Sequence, residues 1–112
     1  MRGKLENLDG KTAPFFVEKP ENKVIIEGGS DFIEAVVSGN PFPHVSWMKG
    51  NRDIVDGPKF QFECNPTTGV IGLVIKKTKS EDESKYTIRI SNDVGEERAT
   101  FSVFIKCKPP QN

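Results

Sequence analysis

Covalent catalysis needs a nucleophile, a base and a group that orients the base. This sequence supplies one histidine, His44, set between Pro43 and a β-type run, and it reads as a solvated turn residue. The two cysteines, Cys64 and Cys107, are isolated, with no close Cys-x-x-Cys or His-x-x-x-His pair to complete a zinc set. They read as thiols without a functional role, the alternative being a bridge between the two or a pairing between chains. Glu81, Asp82 and Glu83 are contiguous on a polar stretch, where solvation and local hydrogen bonding account for them. Gly28-Gly29, and Gly69 with Gly72, lack the strand-to-helix setting of a phosphate loop. Asn65-Pro66-Thr67 has the outline of a glycosylation acceptor, but its central proline blocks the reaction. The expectation is no enzyme: no catalytic residue, no cofactor and no metal.

Without a reaction centre, the informative stretch is the scaffold around residues 35–50. Ala35 and Val37 alternate with polar or outward neighbours, as do Val45 and Trp47, and Gly39-Asn40-Pro41-Phe42-Pro43 between them cannot stay in a helix or a central strand. Two strands flanking a stiff turn result, with the only tryptophan as a plug between two sheets. Short alternating runs and turn clusters continue in both directions. Ala13–Val17 reads as a first, edge strand, and Val24–Glu27 as the next strand before the Gly28-Gly29 turn. Along 31–38, Ile33, Ala35 and Val37 share the inner face. Further on, Phe60/Phe62, Ile71/Leu73/Ile75, Tyr86/Ile88/Ile90 and Ala99/Phe101/Val103/Ile105 each alternate. No stretch has helical periodicity. Short strands of this kind separated by regular turn signals imply an all-β sandwich.

Length and charge narrow the partners. A chain of 112 residues is one domain's worth, and 16 basic against 16 acidic residues with no long basic run gives a phosphate backbone nothing to bind. No apolar run approaches the roughly 20 residues that cross a bilayer, and the polar start at 1–11 lacks the apolar core of a secretory signal. Neither nucleic acid nor membrane is expected as a partner, and the isolated domain is expected to be monomeric. Residues 1–12 and 107–112 read as linkers around a domain at 13–106.

The turn and tryptophan strand, with Gly39, Pro41, Pro43, Trp47, Lys49 and Gly50, resemble the intermediate-set (I-set) immunoglobulin domain almost letter for letter. A second motif agrees: the family's Asp-x-Gly-x-Tyr-x-Cys corner is matched by Asp82 and Tyr86, with Ser84 in place of the glycine and Ile88 in place of the cysteine. The resemblance implies an immunoglobulin-like sandwich of two antiparallel sheets. It implies a core built on Trp47, Tyr86, Ala35, Ile88, Leu73 and Phe101, and a Tyr86 hydroxyl bonded to backbone within 79–82. It also implies a basic partner for Asp82, with Arg52 and Lys59 as candidates.

The family's two bridging cysteines correspond to Ala35 and Ile88, so the inter-sheet disulfide is absent. Losing such a bridge costs a small secreted domain roughly 2–5 kcal/mol, whereas the cytosolic thiol pool would keep the pair reduced in any case. The bridge-less form resembles the modules of the intracellular giant muscle proteins, the titin, twitchin and myosin-binding protein C group. That resemblance implies a cytoplasmic, cytoskeletal or sarcomeric setting, and a structural and docking role toward filament proteins or neighbouring modules. Phe32, Val36, Phe42 and Phe104 are the candidate contact residues. The rival is an extracellular adhesion or receptor domain that has lost its bridge.

Overall fold

The computed structural model describes residues 10–107. Its strands are β1 (Thr12–Glu18), β2 (Lys23–Ile26), β3 (Asp31–Asn40), β4 (His44–Lys49), β5 (Arg52–Asp53), β6 (Phe60–Asn65), β7 (Val70–Ile75), β8 (Ser84–Asn92) and β9 (Gly95–Lys106). Among the described residues helical geometry is confined to one 3-10 turn, Ser80–Asp82, between β7 and β8. Most of the two expected linkers lies outside the described residues, although Thr12 already belongs to β1.

The strands form two sheets, ordered β1-β3-β7-β6 and β2-β9-β8-β4-β5. Their pairings are antiparallel except that β2 runs parallel to β9, with Val24 opposite Phe104. β1 is an edge strand with an irregular register against β3, as suits a segment containing Pro14.

The alternation of each central strand sets its inner face. Ile33, Ala35 and Val37 on β3 and Ile71, Leu73 and Ile75 on β7 are buried from one sheet. Trp47, Tyr86, Ile88, Ile90, Phe101 and Val103 are buried from the other. Ile105, also expected inside, is half-buried against this cluster.

The non-alternating Gly72 of β7 has a physical reason. It is buried on the outer face because the Phe32 ring lies over it, and a Cβ there would come within 2.3 Å of Cε1 and Cζ of that ring. The glycine makes room for an aromatic side chain from the adjoining strand.

Candidate interaction surfaces

Ala35 and Ile88, the two positions where the family bridge would stand, are 2% and 0% exposed, so apolar packing occupies that level of the core. Ala35 pairs with Ile71 in one sheet and Ile88 with Trp47 in the other. The Phe101 ring meets Trp47 edge-on at 6.3 Å between centroids and stacks on Tyr86 at 5.7 Å. A small and a large residue, with this aromatic group beside them, fill the interior without a covalent link. Cys64 and Cys107 are free and exposed.

Below this core, the 3-10 turn and β8 form a corner. The Tyr86 hydroxyl donates to the Asp82 carbonyl at 2.7 Å, within the expected stretch. Burial, and secondarily the Asp82 charge, push the Tyr86 hydroxyl pKa well above its ordinary value.

Asp82 is not the solvated carboxylate that its polar neighbours imply. It is 3% exposed. Its Oδ2 accepts from the Lys59 ammonium at 2.6 Å and from the Lys79 backbone N–H at 2.8 Å, and Lys49 Nζ lies 3.8 Å from Oδ1. Lys59, not Arg52, is the close ion-pair partner, and Lys49 is a second, longer one. A carboxylate is buried here because a cation and a backbone donor replace its water. Two further bonds from these lysines tie the corner to its surroundings, Lys49 Nζ to the Glu81 carbonyl at 2.7 Å and Lys59 Nζ to the Lys77 carbonyl at 2.9 Å.

His44 is exposed at the start of β4. Among the described residues no group of three or more His, Cys, Asp or Glu is placed to hold a metal. No helix among them is long and apolar enough to cross a membrane.

The four candidate contact residues are placed differently. Phe32 is half-buried over Gly72, Val36 is half-buried on β3, and Phe42 packs against the core from the β3–β4 connection. Phe104 is exposed on the outer face of β9. Its cross-strand partner is Val24, and Ile26 lies two residues further along β2; all three are about half exposed. Of Phe104, Val24 and Ile26, the sequence marks only Phe104 as outward. Val24 and Ile26 join it because β2 pairs in parallel with β9, a long-range register that no local pattern encodes.

Two sheets with this strand order, the Trp47 plug and the tyrosine-closed corner define an immunoglobulin-like sandwich. The Immunoglobulin I-set domain model matches residues 14–105, and the chain belongs to that family. The slow-type myosin-binding protein C of Homo sapiens is 34% identical over 103 residues, covering 92% of this chain and 8% of that protein. Fibroblast growth factor receptor-like 1 of Gallus gallus is 35% identical over 107 residues, covering 90% of this chain and 21% of that protein. Among solved structures, a chain from the complex of titin M10 with an obscurin-like 1 immunoglobulin domain superposes with a TM-score of 0.82 at 25% identity. That match covers 88% of this chain and 99% of the other. The chain thus spans a small part of these curated relatives. Immunoglobulin-like domains of this family are generally non-catalytic, and its homologues include titin, palladin and myosin-binding protein C.

Proposed function

We propose that this chain is a structural and protein-docking module of a cytoskeletal or sarcomeric filament-associated protein, with a domain at 13–106 flanked by linkers. The observation that carries the reading is the filled core at Ala35 and Ile88, which removes the need for a bridge that a reducing compartment would not maintain. The myosin-binding protein C and titin relatives support it. Protein partners are supported by the immunoglobulin complex among the structural neighbours. The docking face is the β2–β9 patch of Val24, Ile26 and Phe104, an apolar cluster of a kind that polar rims turn into contact sites. Phe32, Val36 and Phe42 serve packing more than docking.

The test is co-sedimentation of the purified domain with actin filaments and with myosin filaments. The expected result is binding to one of them that V24S/F104S removes while the thermal melt is retained. Absence of binding to either filament, or binding that ignores the double variant, would overturn the filament role and the assigned face respectively.

The receptor-like relative favours a second reading, an extracellular module without its bridge. Immunolocalisation of the native protein separates the two: filament striations support the first reading, and surface labelling of unpermeabilised cells supports the second.

A further inference from the structure

The chain is neutral overall, with 16 basic and 16 acidic residues, yet one end of the sandwich is not. An open groove of about 800 Å³ runs between the β5–β6 connection and the β7–β8 connection, lined by six basic residues and three acidic ones. Two of the basic residues, Lys49 and Lys59, are engaged at the Asp82 corner. Asp82 Oδ2 is already shared between Lys59 and the Lys79 N–H, and against the other two carboxylates, Asp53 and Glu81, the remaining Arg52, Lys76, Lys77 and Lys79 leave the groove an excess of two positive charges. Arg52, Lys76, Lys77 and Lys79 form no ion pair among the described residues.

The backbone presents them together. Lys77 is the one non-glycine described residue with positive φ, at 49°, and its left-handed turn comes directly after Lys76 at the end of β7. That turn is held by the Lys59 ammonium on the Lys77 carbonyl and by the Lys76 N–H on the Lys59 carbonyl at 2.9 Å. The opposite lip carries Val55, 76% exposed, beside the half-buried Ile54. An apolar side chain that exposed, lining one groove with four cations that form no ion pair among the described residues, makes a mixed surface.

We propose that this groove docks an acidic peptide segment that carries an aliphatic or aromatic side chain, the carboxylates facing Arg52, Lys76, Lys77 and Lys79 and the apolar group facing Val55. Charge complementarity selects the peptide's sign. The lip selects a peptide over a nucleic acid, because single-strand binding relies on exposed aromatic platforms, whereas the groove's aromatic residue, Phe60, is half-buried against the core and its exposed apolar lip is a valine. The proposal deepens the docking role and rests on that reading, but uses a surface separate from the Val24–Phe104 face, so the failure of either is visible without the other.

The test is a chemical-shift titration of the isotope-labelled domain. The probes are a short Glu/Asp peptide with one central leucine, the same peptide with lysines for its acidic residues, inorganic phosphate and a short oligouridylate. The acidic peptide is expected to shift amides of 52–55 and 76–79 and no others, with affinity falling as salt rises past the concentration where the Debye length is about 10 Å. K76E/K77E is expected to weaken binding by roughly tenfold or more, and V55S several-fold, with both variants melting as the parent does. Four results would overturn the proposal: no shifts with the acidic peptide, shifts outside the groove, equal binding by K76E/K77E, or phosphate or oligouridylate binding the groove as well as the peptide.

Discussion

Removing the Tyr86 hydroxyl should destabilise the domain at neutral pH and cease to do so in alkali. The hydroxyl is fully buried and donates to the Asp82 carbonyl at 2.7 Å. Tyr86→Phe leaves that carbonyl without this donor, at a cost of about 1–3 kcal/mol. Burial and the neighbouring Asp82 charge raise the folded-state pKa above the ordinary value of 10.0. The folded state therefore holds the phenolic proton over a range where the unfolded chain gives it up. A raised folded-state pKa contributes stability that is fully present below pH 10 and is lost as pH climbs beyond it, at about 1.4 kcal/mol per pH unit. The phenylalanine variant has no proton to lose. The gap between the two proteins should stay constant from pH 7 to 9 and close within about 1–2 units above pH 10.

Guanidinium unfolding followed by Trp47, the only tryptophan and 3% exposed, measures both proteins at each pH. Tyr86 is also the only tyrosine, so phenolate absorbance reads its titration directly. Equal stability at pH 7, a gap that persists unchanged to pH 11.5, or phenolate appearing at its ordinary pH in the folded protein would each refute this account of the corner.

At the same corner, Asp82→Ala should cost about 2–3 kcal/mol, since it removes the acceptor of a backbone N–H as well as an ion pair. Lys59→Met should cost less, about 1 kcal/mol, because the lysine is one-third exposed and its pair is partly screened; chemical denaturation that ranks them the other way would contradict the geometry. Gly72→Ala should destabilise by about 1–2 kcal/mol by displacing the Phe32 ring, and the same change made in an F32A background should cost clearly less, a double-mutant cycle whose additivity would disprove the contact. Reducing agent should leave the unfolding midpoint of the parent protein unchanged, because both cysteines are free; a fall of several degrees would mean that Cys64 and Cys107 pair.

The sandwich is legible in the chain because its signals are local and period-two: Ile33/Ala35/Val37 and Ile71/Leu73/Ile75 carry their inner faces in their spacing. The tyrosine corner is legible through resemblance, with Asp82 and Tyr86 at matching spacing. The state of Asp82 is not legible from composition. Flanked by Glu81 and Glu83 it looks solvated, and only the fold brings Lys59 and the Lys79 N–H around it. Phe32, Val36 and Phe42 look outward by alternation or loop position, yet a glycine on the next strand and the path of the β3–β4 connection half-bury Phe32 and Phe42. The β2–β9 patch and the basic groove each join residues distant in sequence, so no window of the chain contains either.

The sequence of the full-length transcript that encodes this domain tests its placement in a filament-associated protein directly. Tandem immunoglobulin and fibronectin-like modules, further copies lacking the bridge cysteines among them, are predicted and would fit a filament-associated protein of a reducing compartment. A signal peptide and a membrane span in the same reading frame would contradict it and make the domain a cell-surface module held together without its disulfide.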